Sequence, residues 1–217
     1  MHAWIIQSGE PLTIDIGQPR PMRAMNLTKS LLKKGIEVTL ISSDFSHQNK
    51  KHRFKKWIDI KQPEGNRLIL IPSPGYKSHI GFRRIIDHIV LGFRLNWWMK
   101  KQTKVPDVIF VGYPPIEMSF FVANWAERNN VPFLIDVKDL WPDLFLDYFP
   151  KKLKKIVQLL LFPYFYMRNS ALKKANAFCT MSHEYMNWML NIADRPKNDF
   201  DITSSLSAPD PKKIASY

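Results

Sequence analysis

Residues 131–143 read Val131-Pro-Phe-Leu-Ile-Asp136-Val-Lys138-Asp139-Leu-Trp141-Pro-Asp143. A short apolar run, interrupted only by Asp136, breaks abruptly into charge, tryptophan and proline. Such a run suits a strand over 133–137, buried on both faces of a parallel sheet. In open α/β sheets ligands sit beyond the carboxyl ends of the strands, so the polar cluster that follows is a candidate site.

Outward from this stretch, further strand-like runs occupy residues 3–7, 37–41, 67–71, 107–111 and 177–180, with a short addition at 57–60. Helical patterns alternate with them. Ala24, Leu27 and Leu31 share one face of a first helix, Lys33-Lys34 occupy its last turn and Gly35 stops it. A second helix covers 83–101, a third 117–129, and a fourth 151–174 with a kink or break at Pro163; a last one begins near Ser182, which caps it. This alternation predicts an α/β chain: a Rossmann-like, three-layer α/β/α domain with a mostly parallel sheet. Residues 1–194 form that domain. Residues 195–217 lose all periodicity and are expected to be a linker or frayed tail.

The 217 residues include a single cysteine, Cys179, which excludes an internal disulfide and reads as a core residue of a protein in a reducing compartment. The amino terminus lacks the basic and apolar regions of a secretion signal, and the best apolar run, 156–167, is too short to span a bilayer. A cytoplasmic chain is expected. A formal charge of +13 favours anionic partners. Basic segments with aromatic neighbours recur at 50–57, at Arg83-Arg84 with 97–101, and at 151–155, a combination suited to an anionic membrane surface. The bland alternative is a solvated face on helices whose other side is core. Nucleic-acid binding rests on charge alone and is not expected.

The loop 8–21 follows the first strand, where Rossmann-type domains present backbone to phosphate. Gly9 and Gly17 are too far apart for a dinucleotide fingerprint, so no nicotinamide cofactor is expected. Its length, with Gly17, Glu10, Arg20 and Arg23 around a helix start, points to a substrate-facing segment; a plain surface loop is the alternative. Lys138 can stabilise charge developing on a leaving group, and Asp139 can orient or deprotonate a hydroxyl, with Asp136 and Asp143 as further candidates. Alternatively, Lys138 and Asp139 form a structural ion pair and Trp141-Pro142 only starts the next turn. His47, His52, His79 and His88 lack metal-ligand spacing, and Ser182-His183-Glu184 lacks a nucleophile's strand-turn setting.

The block Gly112-Tyr-Pro-Pro-Ile116, with Asn124-Trp-Ala-Glu-Arg-Asn-Asn-Val-Pro-Phe-Leu-Ile-Asp-Val-Lys-Asp-Leu-Trp-Pro142, resembles the first domain of family 4 glycosyltransferases of the GT-B fold, above all bacterial members that build cell-surface polysaccharide. Arg23-Ala-Met-Asn-Leu-Thr-Lys-Ser-Leu-Leu-Lys-Lys-Gly-Ile-Glu-Val-Thr-Leu40 and Ala175-Asn-Ala-Phe-Cys-Thr-Met-Ser182 extend the likeness, although Ile36 stands where that family has histidine. The resemblance implies a retaining transfer from a nucleotide-sugar donor to a glycan or polyprenyl-linked acceptor, with no cofactor beyond the donor. Lys138 takes the place of a family arginine or histidine, Asp139 matches a family aspartate, and Tyr113, Trp141 and Arg23 join the substrate side. Such enzymes carry a second, donor-binding domain with two glutamates separated by seven residues, and Glu10, Glu37, Glu64, Glu117, Glu127 and Glu184 include no such pair. The expectation is therefore an acceptor-side half at the inner face of the plasma membrane, inactive without a donor-binding half, the chain being a fragment, a truncation or one half of a split enzyme completed by a partner polypeptide. A noncatalytic membrane-surface or scaffold module of the same fold is the alternative.

Overall fold

A computed structural model describes residues 1–17, 19–78 and 81–204. In chain order the elements are β1 (His2–Ile6), α1 (Arg23–Lys33), β2 (Glu37–Ser43), β3 (Phe45–Ser46), β4 (Lys51–His52), β5 (Ile58–Lys61), β6 (Arg67–Ile71), α2 (Phe82–Lys100), β7 (Val108–Tyr113), α3 (Ile116–Arg128), β8 (Phe133–Val137), α4 (Asp143–Leu146), α5 (Lys151–Leu160), α6 (Phe162–Lys174), β9 (Ala177–Thr180), α7 (His183–Ala193) and β10 (Ile202–Thr203). Eight strands form one sheet in the order β10-β9-β8-β7-β1-β2-β6-β5. All pairs are parallel except β5 against β6. The chain winds outward from β1 through β2 to β6, then crosses to β7 and winds the other way. The strand order reverses between β1 and β7, which is where open sheets of this type part to admit ligands.

Alternation along β1 divides the core. Ile5 joins Val38, Leu40, Leu68 and Leu70 beneath α1, whose Ala24, Leu27 and Leu31 cover that face. Trp4 and Ile6 join Ile41, Ile69, Ile71, Val111 and Ile135 on the opposite face. There Trp4 stacks on Trp125 of α3 at 5.1 Å and packs against Trp98 of α2 at 4.9 Å. The three-layer α/β/α architecture is the one the sequence predicts.

The expected helix over 151–174 is two helices, α5 and α6, because Pro163 lacks an N–H and so sits in the first turn of α6 rather than inside a continuous helix. Ser182 caps α7, its hydroxyl accepting the Tyr185 N–H at 3.3 Å. The segment after Asp194, expected to be a linker, is tied to the sheet as far as Ser204. Asp201 accepts the Phe178 N–H at 2.8 Å and pairs with Arg195, and β10 then extends the sheet beside β9. The remainder of that expected tail, 205–217, lies outside the described residues, as does His79.

Helices α2 and α3 approach closely at Gly92. A Cβ there would lie 2.8 Å from the Glu117 Cβ and 3.2 Å from its backbone carbonyl carbon, neither of which can swing away. Gly92→Ala should therefore destabilise the domain by about 1–3 kcal/mol despite alanine's better helix propensity. Urea titration checks this; a variant as stable as the parent would show that the two helices separate freely.

Candidate functional site

A cleft of about 240 Å³ opens at the carboxyl ends of β1, β2, β6, β7 and β8, directly over the strand-order reversal. Gly112, on β7 opposite β1, makes room for Gln7 in its wall: a Cβ would overlap the Gln7 side chain, which is buried and accepts the Gly9 N–H at 3.2 Å. Gln7, Ser8, Gly9 and Glu10 follow β1 into one wall, Lys138 and Asp139 follow β8 into the same wall, and Pro114 and Pro115 form the floor between them.

Glu10 is the anchor of this wall. One carboxylate oxygen accepts the Ala24 N–H at the start of α1 at 2.8 Å, and the other accepts from the Lys138 ammonium. The same ammonium lies 3.3 Å from Asp136, which is fully buried and also pairs with Arg23. Lys138 is thus held by Glu10 and Asp136, and the ion pair weighed for it with Asp139 is not formed. Among the described residues the Asp139 carboxylate makes no hydrogen bond or ion pair, and it lines the cleft.

The structure brings three of the expected residues, Glu10, Lys138 and Asp139, to one cavity, and sends the others elsewhere. Arg23 reaches under the sheet end to Asp136, the Ser204 carbonyl at 2.7 Å and the Cys179 sulfur at 3.4 Å. Burial, reinforced by Asp136, pushes the Cys179 thiol up to about 11, so it is an inert packing group. Gly17 and Arg20 lie on the exposed loop away from the cleft. Tyr113 is buried, its hydroxyl donating to the Trp141 carbonyl, and burial drives its ionisation well above the ordinary range. Trp141 packs edge-on against Phe145 and Tyr164, and Asp143 pairs with Arg168. These side chains hold the turn after β8 in place.

The far wall carries residues that no local motif signals. Phe45, His47, Tyr76, Arg84, Asp87 and His88 come together from the start of β3, the turn after it, the loop after β6 and the first turns of α2. His47 and His88 share a cavity only because of the long-range path of the chain. Among the described residues, no cluster of three or more histidine, cysteine, aspartate or glutamate side chains could hold a metal ion. Behind the floor, Glu117 is buried between α2, α3 and α6. One of its oxygens accepts the Tyr164 hydroxyl at 3.1 Å, and the other has no partner among the described residues.

With the fold and cleft in place, comparison with solved structures is informative. The chain is similar to UGT89C1 of Arabidopsis thaliana complexed with UDP, at TM-score 0.52 and 14% identity over 99% of this chain and 55% of that one. The same protein complexed with quercetin gives TM-score 0.50 and 12% identity, over 99% and 54%. These neighbours are UDP-glycosyltransferases of the GT-B fold, so the chain has the fold of a Rossmann-like GT-B half. It spans about half the length of the structures it matches. No protein-family model and no curated protein matches it.

Burial lifts the Glu117 carboxyl from 4.5 to about 7. At this group the folded chain binds a proton more tightly than the unfolded chain, so the Glu117 contribution to stability should fall as pH rises from about 5 to 7, by on the order of 3 kcal/mol, against the opposite slope of His88, which burial holds neutral in the folded chain. Urea denaturation of Glu117→Gln across that window should lose this component of the pH slope. An unchanged slope would assign it to other groups.

Proposed function

We propose that the chain is the acceptor-side half of a retaining glycosyltransferase, of the kind family 4 enzymes use in bacterial cell-surface polysaccharide synthesis. The observation that carries this reading is the convergence of Glu10, Lys138 and Asp139 on one cleft at the strand-order reversal of a GT-B-type half. The donor is a nucleotide sugar, a choice supported by the UDP in a neighbour of the same fold. Asp139 orients the attacking hydroxyl of the acceptor and takes its proton, since it is the carboxylate on this wall without a partner among the described residues. Lys138, fixed at the wall by Glu10 and Asp136, faces the leaving diphosphate with a positive charge. Both reactants must be held together for the reaction, so transfer requires a donor-binding half.

This reading is tested with a panel of nucleotide sugars, assayed for transfer by the chain alone and with lysate of its source. Activity should appear only with lysate and follow a copurifying donor-binding protein. Asp139→Asn should then lower the rate by about 10²-fold or more with the fold intact. Transfer that ignores this substitution would remove Asp139 from the chemistry, and no transfer with any donor would favour the scaffold alternative.

A peripheral position on the cytoplasmic face of an anionic membrane has its own support in α5. No helix among the described residues is long and apolar enough to cross a membrane. None of the ten residues of α5 is buried; Leu159 and Leu160 are 75% and 74% exposed, with Leu153, Ile156 and Phe162 exposed beside them and Lys151, Lys152, Lys154 and Lys155 at the other end. An amphipathic helix of this kind seats its apolar side chains among acyl chains and its lysines among headgroups. Leu159→Glu with Leu160→Glu should weaken binding to anionic vesicles about tenfold or more in flotation. Undiminished binding would move the contact off α5.

A further inference from the structure

Helix α2 has two contrasting sides. Arg84, Asp87, His88 and Leu91 recur at helical spacing and line the cleft, while Phe82, Ile86, Ile89, Phe93 and Trp97 recur at the same spacing on the opposite side and are exposed. A helix on the outside of a domain ordinarily carries charged or polar residues there. Here Phe82 is 74% exposed, Phe93 60% and Trp97 52%.

The stripe continues beyond α2. The Trp97 ring lies 5.7 Å from that of Trp57, just before β5, and the Phe93 ring 5.0 Å from that of Phe121 on α3. From Phe121 the ring contacts run to Phe120 at 5.5 Å and on to Tyr166 of α6 at 6.1 Å. Tyr166 stands four residues beyond Phe162, which is exposed where α6 begins after α5. Rings therefore lead from the outer side of α2 across α3 and α6 toward the exposed leucines of α5. Helix α1, on the other face of the sheet, exposes no large apolar side chain.

The exposed charge of this helical layer has one sign. Arg83, Lys100 and Lys101 form no ion pair among the described residues, and the Lys101 ammonium lies 3.7 Å from the centre of the Trp97 ring. The acids of α2 and α3 do not offset them: Asp87 and Glu117 are buried, and Glu127 pairs with Lys174 at 2.7 Å. Helices α5 and α6 contain no acid.

We infer that the outer face of α2, α3 and α6, continuous with α5, is the surface on which the chain rests against an anionic lipid bilayer, its rings at the acyl boundary and its cations among the headgroups. The inference widens the contact proposed from α5 and takes from that reading only the choice of a membrane. A second copy of the chain is a poorer occupant, because it would press one basic face against another. With α2 between them, cleft and bilayer are separated by a single helix, ~10 Å across. A lipid-linked acceptor then leaves the membrane by only that distance to enter the cleft.

The test is flotation of the 217-residue chain with vesicles of equal parts phosphatidylglycerol and phosphatidylcholine. Phe82→Glu with Phe93→Glu should weaken binding about tenfold or more, as should vesicles of phosphatidylcholine alone, whereas Lys29→Ala on α1 should leave binding unchanged. Brominated acyl chains should quench the tryptophan emission of the parent, and Trp97→Phe, which keeps an aromatic ring in place, should remove much of that quenching. Parental binding by the Phe82→Glu, Phe93→Glu variant, or quenching unchanged in Trp97→Phe, would overturn the inference; the α5 contact would still stand if Leu159→Glu with Leu160→Glu weakens flotation. Binding lost in the α2 variant but kept in the α5 variant would support this face and remove α5 from the contact. Dimers in sedimentation that Phe93→Glu dissolves, with no quenching by brominated lipid, would give the face to a second copy and overturn its assignment to the membrane.

Discussion

The carboxylate of Asp136, with no exposure to solvent at the end of β8, is the group around which the carboxyl end of this sheet is assembled. A buried charge is tolerable only when paired, and removing one partner typically costs about 3–5 kcal/mol. Its partners come from distant parts of the chain. Arg23 reaches it from the start of α1, and Lys138 turns back to it from the strand's own exit. Arg23 also binds the Ser204 carbonyl beyond β10, and Lys138 binds Glu10, whose second oxygen caps the Ala24 N–H. One carboxylate thereby fixes the loop after β1, the entry of α1, the turn after β8 and the last sheet strand relative to each other.

That network decides which groups are left for chemistry. Arg23 and Asp136 satisfy each other below the surface, and the positive charge of Lys138 is shared between two acids on the wall, so the cleft receives a positioned ammonium rather than a freely moving one. Asp139, one residue further along the turn, escapes the network and faces open space. Gly112 adds room for Gln7: with no side chain on β7 at that point, the Gln7 side chain folds over the strand.

The strands were legible because parallel strands buried on both faces read as apolar runs, and residues 133–137 match β8 at both ends. The turn after β8 was legible as the end of the buried strand for the same reason, since charge follows the apolar run directly. What could not be read was pairing. Lys138 and Glu10 are separated by 128 residues, and nothing local distinguishes that partner from the adjacent Asp139. Arg23, Tyr113 and Asp136 carry polar groups that suit a substrate, and only the fold turns them inward to serve the turn and the sheet end. The hairpin of β3 and β4, two residues per strand, is too short to leave a period, yet it brings His47 to Tyr76. The break between α5 and α6 was legible at Pro163, whereas the exposure of α5 depends on which neighbours the fold supplies.

The formal charge of +13 gains meaning from where it sits. At the sheet end the cations are matched, Arg23 and Lys138 against Asp136 and Glu10, and Arg53 against Asp15 at 2.5 Å. On α5 the balance differs: Lys154 pairs with Asp147 at 2.8 Å, while Lys151, Lys152 and Lys155 have no ion pair among the described residues. Arg84 lines the cleft beside Tyr76. The α5 lysines are not required by the core, because α5 buries no residue. Charge that the core does not need, placed beside exposed leucines, is the pattern of an amphipathic helix suited to an anionic surface.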